Sequence, residues 1–321
     1  MKMNNLVSRV LVALVAIPFM FFIIMYGSFP FFILIALISS LALYEFYKMT
    51  ESKGAKPIIQ LGLLFGVLLQ LVFMHERVSF VIVGKLARAD IYIHYPTQFV
   101  LLLAVISLFV FCVILVELFR NNGSAMLNIA STIFGVLYIS LFLGMLIATR
   151  ELFEWEHFNA FFLSKSFKAL QSGEVQGLTT GLKSWGGYFI FAVFVTIWVC
   201  DSSAYFAGRA FGKHKLFERV SPNKTWEGAI AGFLFSVIVM IVAKFLVIQF
   251  LSITHAIVVG VIIGIFGQIG DLCQSLLKRD SGIKDSSALI PGHGGFFDRF
   301  DSIIFVSPLI YLYLDLVILY F

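Results

Sequence analysis

The sequence predicts an all-α integral membrane protein of about nine transmembrane helices with its amino terminus in the cytoplasm. Three observations predict it. Of 321 residues, 60% are hydrophobic and only 13% charged, against about 25% charged in a soluble domain, so lipid must be the solvent for most of the chain. Uncharged runs long enough to cross a hydrocarbon core of about 30 Å as α-helix recur throughout. Stretches such as residues 101 to 116 are apolar on nearly every face, whereas a membrane β-barrel would alternate polar and apolar positions over segments of about 10 residues.

Apolar runs bounded by charge, Gly, Pro or Asn place the spans at residues 6–26, 30–47, 57–75, 99–119, 125–149, 185–208, 228–251, 254–274 and 302–321. Lys2 and Arg9 before the first run imitate a secretory leader, but a small-residue cleavage site is missing and a second span follows at once, which reads as an uncleaved signal anchor. Residues 77–96 mix apolar positions with Arg77, Lys85, Arg88, Asp90 and His94, and suit either a hairpin or a partial insertion. Residues 151–184, with Glu151, Glu154, Glu156 and an aromatic-rich stretch at 158–167, suit an external connection lying at the headgroups. They divide a multi-span region, 1–150, from a second membrane region that carries the polar loops, 185–321. With the amino terminus inside, fifteen of the 23 basic residues fall on the cytoplasmic side, as the retention of positive loops requires. Cys112, Cys200 and Cys273 show neither disulfide nor zinc spacing. Gly260, Gly264, Gly267 and Gly270 in the eighth span permit close helix packing, including that of a homodimer.

Three polar segments break this pattern. Asp201 ends an apolar run and shares a helix face with Tyr205 and Arg209. A carboxylate there needs protein, water or a metal to face, which leaves both a helix-end ion pair and a site role open. Ser221-Pro222-Asn223-Lys224-Thr225-Trp226-Glu227-Gly228 precedes the seventh span. Ser221 or Asn223 suits a helix cap and the freed amides suit an anion, but capping asks for neither Lys224 nor Glu227. The third segment, residues 271–301, holds five Asp, two Lys, two Arg and one His. Asp271, Ser275 and Lys278 recur on one helical face, and Gly292, Gly294 and Gly295 let backbone approach a ligand.

The second and third segments are separated by two spans, so they face the same side and can build one site. Interleaved carboxylates and cations at a membrane surface suit a hard metal with oxygen ligands together with phosphate neutralisation. The chemistry this matches is phosphoryl or nucleotidyl transfer. Zinc hydrolysis lacks a ligand set, a covalent Ser or Cys route lacks a base partner, and no feature points to nucleic acid.

The run Ser275-x-x-Lys278-Arg279-x-x-x-x-Lys284-Asp285-x-x-x-x-x-Pro291-x-His293-Gly294-Gly295-x-x-Asp298-Arg299-x-Asp301 resembles the signature of the phosphatidate cytidylyltransferases, the CDP-diacylglycerol synthases. The segments around Asp201 and Ser221 are similar to that family as well. The resemblance implies condensation of CTP with phosphatidate, drawn from the bilayer, to give CDP-diacylglycerol and pyrophosphate for phospholipid biosynthesis. It also implies a magnesium requirement, with a second cation left open. On that reading Asp271 and Asp285 lead as metal ligands, with Asp298 and Asp301 as further candidates. Lys224, Lys278, Arg279, Lys284 and Arg299 hold phosphates. Asp201, Ser221, Asn223, Glu227 and Ser275 line or support the substrate pocket, and His293, Gly294 and Gly295 shape the nucleotide loop. The expected setting is a bacterial inner membrane, with the site at its cytoplasmic face. A CTP-dependent kinase of isoprenoid or other lipid alcohols would release CDP instead of pyrophosphate. A secondary transporter would place its charges near the bilayer midplane in symmetric halves.

Overall fold

A computed structural model describes residues 5–87, 95–153, 175–287, 289 and 294–318. Apart from its connecting loops, the described chain is helical except for one short ribbon. Helix α1 (Asn5–Tyr26) is followed by α2 (Ser28–Glu51), α3 (Ile59–Val72), α4 (His75–Ala87), α5 (Gln98–Phe119), α6 (Ala125–Leu152) and α7 (Val175–Phe211). Strands β1 (Lys215–Phe217) and β2 (Ser221–Thr225) form an antiparallel hairpin. The chain then continues through α8 (Trp226–Leu246), α9 (Ile253–Asp280) and α10 (Asp301–Tyr313). Single π-helical segments interrupt α6 at Val136–Leu141 and α9 at Ile263–Gly267.

Among the described residues, six helices are long and apolar enough to cross a membrane, and the α3–α4 pair, bent by 77°, makes a seventh if counted as one span. The expected first and last spans are present as helices, but the apolar described part of α1 is the shorter stretch Leu14–Tyr26. The expected third span stops early because α3 ends at Val72 and the chain turns sharply into α4. That helix accounts for much of the 77–96 segment. The starts of α5, α6, α8 and α9 are made by hydroxyl caps. Thr97, Ser124, Thr225 and Ser252 each accept a hydrogen bond from a backbone N–H one turn on, which satisfies a donor that a helix leaves orphaned.

Helix α5 is lipid-facing, with Phe99, Leu118 and Phe119 exposed. The amino-terminal half is knitted by buried polar contacts, as an apolar solvent demands. Tyr47 Oη donates to Thr132 O at 2.8 Å, Gln70 Nε2 to Ser140 O at 3.0 Å and Asn128 Nδ2 to Glu117 Oε1 at 2.6 Å. Helix α6 extends to Leu152, so Arg150 and Glu151 are buried in it instead of opening an external connection. Glu151 pairs with Arg77 at 3.1 Å.

In the carboxyl-terminal half, close packing of α7, α8 and α9 depends on glycine. A Cβ at Gly228 would collide with Ala204 O, and one at Gly264 with Ser236 and Phe233. Gly260 packs on Val237 and Gly270 on Phe305 in the same way. Gly260, Gly264 and Gly270 of the eighth expected span therefore serve close contacts within the chain. Helix α10 packs against both α6 and α9, so residues on either side of the 151–184 connection share a core.

Candidate active site

The second and third polar segments converge, as their separation by two spans requires. An open cavity of about 720 Å³ lies where the ends of α7 and α9, the hairpin and the start of α10 meet. Its polar wall carries Asp201, Asn223, Lys224, Asp271, Lys278, Asp285, Asp298, Arg299 and Asp301, nine of the residues expected there. Trp198, Ala204, Tyr205 and Leu216 supply a less polar side. Asp201, Tyr205 and Arg209 share the helix face that their spacing predicts and all border the cavity. Arg209 Nη1 donates to Tyr205 Oη at 3.4 Å.

Two lysine–aspartate pairs organise the wall. Lys224 Nζ stands 2.6 Å from Asp271 Oδ2, with both side chains about one-third exposed. Lys278 Nζ stands 2.8 Å from Asp298 Oδ1 with both side chains largely buried. The other oxygen of Asp298 accepts from Ser286 N at 2.8 Å, Ser286 Oγ at 3.0 Å and Gly295 N at 3.1 Å. Burial by itself would raise the Asp298 pKa, but the hydrogen bond from Lys278 and those from the Ser286 and Gly295 amides outweigh it and hold the carboxyl below its ordinary range. Asp298, expected as a candidate metal ligand, thus has both oxygens engaged within the protein. Ser275 Oγ stands behind Asp271, donating to its Oδ1 at 3.3 Å.

The hairpin delivers Asn223 and Lys224. Here the local expectation needs correction: Ser221 and Asn223 lie in β2, and Thr225 caps α8, its Oγ1 accepting from Gly228 N at 3.3 Å. Buried Val220 and Thr225 and the bond from Trp226 N to His214 O at 2.9 Å favour a paired ribbon over an open cap. Glu227 folds back on the turn before β1, accepting from Lys213 N at 3.1 Å and contacting His214 Nδ1 at 2.7 Å.

Ser221, Glu227, Ser275, Arg279, Lys284, Gly294 and Gly295 stand outside the cavity lining. Arg279 reaches Val220 O at 3.4 Å, so it ties α9 to the hairpin, while Lys284 is exposed at the surface. Gly294 has φ +80°, a left-handed conformation natural to glycine. His293, with Pro291 and Gly292, lies outside the described residues.

Sequence reasoning missed Gln268, which borders the cavity and donates to Ala229 O at 3.0 Å across the α8–α9 contact. It also missed Glu45, 2% exposed on α2, which accepts from Ser286 Oγ at 2.8 Å, Ser287 Oγ at 2.6 Å, Phe296 N at 3.0 Å and Phe297 N at 2.9 Å. The signal available for Glu45 was a carboxylate inside an apolar run, the same signal that marks Asp201.

The donors on the wall are carboxylate oxygens, the class that magnesium takes. Asp201, Asp271 and Asp301 lie within electrostatic reach of one another. Among the described residues no three His, Cys, Asp or Glu side chains form a preformed metal cluster. That is compatible with magnesium, which commonly uses one or two protein carboxylates and completes its shell with water and substrate phosphate.

Comparison with known proteins adds that residues 7–317 match the cytidylyltransferase family. The chain is similar to a phosphatidate cytidylyltransferase of Bacillus subtilis (strain 168), 30% identical over 315 residues that cover 98% of this chain and 99% of that protein. It is 49% identical over 128 residues to one of Staphylococcus haemolyticus (strain JCSC1435), a match that covers 40% of this chain and 49% of the relative. A Staphylococcus saprophyticus enzyme of the same name is 44% identical over a match of the same coverage.

Proposed function

The chain belongs to the cytidylyltransferase family, and from that membership and the cavity we infer that it condenses CTP with phosphatidate, giving CDP-diacylglycerol and pyrophosphate. The observation that carries this reading is one cavity in which Lys224, Lys278 and Arg299 stand among Asp201, Asp271, Asp285 and Asp301 at the ends of apolar helices. There a lipid headgroup can meet a soluble nucleotide while its acyl chains remain in the bilayer.

In the reaction an anionic phosphate oxygen of phosphatidate attacks the α-phosphorus of CTP. One P–O bond forms, the α–β phosphoanhydride bond breaks, and the electron pair leaves with pyrophosphate. The attacking oxygen already carries charge near neutral pH, so no side chain need act as a base. The protein's part is positioning and charge neutralisation. Lys224 exchanges Asp271 for a substrate phosphate, and Arg299, which also lines the cavity, neutralises charge there. Lys278 stays tied to Asp298 and contributes field. Arg279 and Lys284 act from the rim, attracting anions. Asp271 and Asp285, with Asp301 within electrostatic reach of Asp271, are the side chains that would hold magnesium, whose charge would offset that building on the phosphates. Asp201 and Asn223 complete the polar wall.

The same reading places nine spans in a bacterial inner membrane, the amino terminus inside and the cavity open to the cytoplasm. It is tested with purified protein in detergent by measuring pyrophosphate release from CTP. Release should require phosphatidate and magnesium together, and Asp285→Asn should lower it by about a hundredfold or more. Intact CTP, or CDP formed without pyrophosphate, would overturn it.

A further inference from the structure

We propose that Glu45 is a positioning residue for the nucleotide cavity, a buried carboxylate of α2 that clasps both ends of the loop carrying Asp285 and Asp298. The proposal rests on the activity inferred above. Its four donors come from two short stretches: Ser286 and Ser287 follow Asp285 directly, and Phe296 and Phe297 directly precede Asp298. Each oxygen takes one hydroxyl and one backbone N–H. Oε1 accepts from Ser287 Oγ and Phe296 N, and Oε2 from Ser286 Oγ and Phe297 N. Both Asp285 and Asp298 border the cavity. Glu45 does not, so it acts through the loop and touches no substrate.

The local packing has been shaped around this clasp. A Cβ at Gly295 would run into the Ser286 hydroxyl and the Glu45 carboxylate, so only glycine fits there. Ser286 Oγ stands 2.8 Å from Glu45 Oε2 and 3.0 Å from Asp298 Oδ2. One hydroxyl therefore links the clasp to the Lys278–Asp298 pair on the cavity wall. Phe297, fully buried, packs edge-on against Phe46 of α2 and Tyr138 of α6. The end of the same helix holds the end of α9, through Lys53 to Asp280 at 3.2 Å and Ser52 Oγ to Ser281 O at 3.1 Å. Two backbone amides on one carboxylate demand acceptors in both positions. Glutamine keeps one acceptor oxygen but sets an NH₂ group against the other N–H, so Glu45→Gln breaks half of the clasp at almost no change in volume.

Two measurements on the purified full chain separate positioning from mere support of the fold. In Glu45→Gln the amides of Phe296 and Phe297 should exchange with deuterium faster while α8 stays protected. The CTP kcat/KM per folded molecule should fall roughly ten- to hundredfold, as for loss of other groups that orient a site from behind. Ser287→Ala, which removes the hydroxyl's bond to Glu45 and the one it accepts from Leu289 N at 3.2 Å but leaves the other three donors on Glu45, should move both readouts the same way by about fivefold. Unchanged exchange at Phe296 and Phe297 would overturn the clasp itself. Faster exchange with kcat/KM unaltered per folded molecule would overturn its positioning role. Absence of CTP turnover in the unaltered protein would instead count against the inferred activity, and the exchange arm would still decide whether Glu45 holds the loop.

Discussion

Lys278 and Asp298 show how one buried pair serves both stability and site geometry. Their side chains are 13% and 6% exposed, so removing either partner leaves a charge with poor solvation. Asp298→Asn should cost roughly 3–5 kcal/mol, read as a lowered thermal midpoint in detergent. Because the folded Asp298 pKa lies below its ordinary value, its contribution is complete above the usual carboxylate range. It is lost as pH falls from that range through the depressed folded value. The midpoint of the unaltered protein should therefore drop more on acidification than that of Asp298→Asn. The charged residues of 271–301 were legible in sequence because so few charges occur elsewhere. Their pairing was not, since Asp298 is satisfied by Lys278, 20 residues away, and by loop amides whose direction only the folded backbone sets.

At the level of elements, the hairpin is where local reasoning went furthest astray. The Ser-Pro-Asn run has the composition of a cap, yet β2 pairs with β1 and leaves capping to Thr225. What holds the hairpin on α8 is the Glu227 carboxylate beneath the Lys213–His214 turn. Glu227→Gln gives up charge-assisted bonds and should raise KM for CTP by roughly tenfold, with little change in the thermal midpoint, because Asn223 and Lys224 lose their fixed placement. A steady KM would show that the hairpin is held without it. The helices themselves were largely readable. In lipid the backbone must satisfy itself within the segment, so apolar length nearly determines where helices run, whereas the 77° bend between α3 and α4 follows from packing.

For the whole molecule, the inferred orientation places the hairpin in the cytoplasm and the start of α5 outside. In an otherwise cysteine-free chain, Arg219→Cys should resist a membrane-impermeant maleimide in sealed right-side-out vesicles and react after lysis, while Thr97→Cys should react in both. The opposite pattern would reverse the topology. Such a chain works as one body, since α10 packs on α6 and α2 reaches the loop before α10. The amino-terminal helices thereby support a cavity to which, among the described residues, they contribute no lining residue.

By itself the sequence determined the solvent of this protein, the course of most of its helices and the residue types of its site, because hydrophobic length and misplaced charge are local properties that no packing can hide. Tertiary structure alone decided which lysine meets which aspartate, that Gly260, Gly264 and Gly270 of α9 are used within the chain, and that Glu45 clasps a loop through Ser286, 241 residues away in sequence. Those outcomes depend on distances between segments remote in sequence, and composition and periodicity carry no record of such distances.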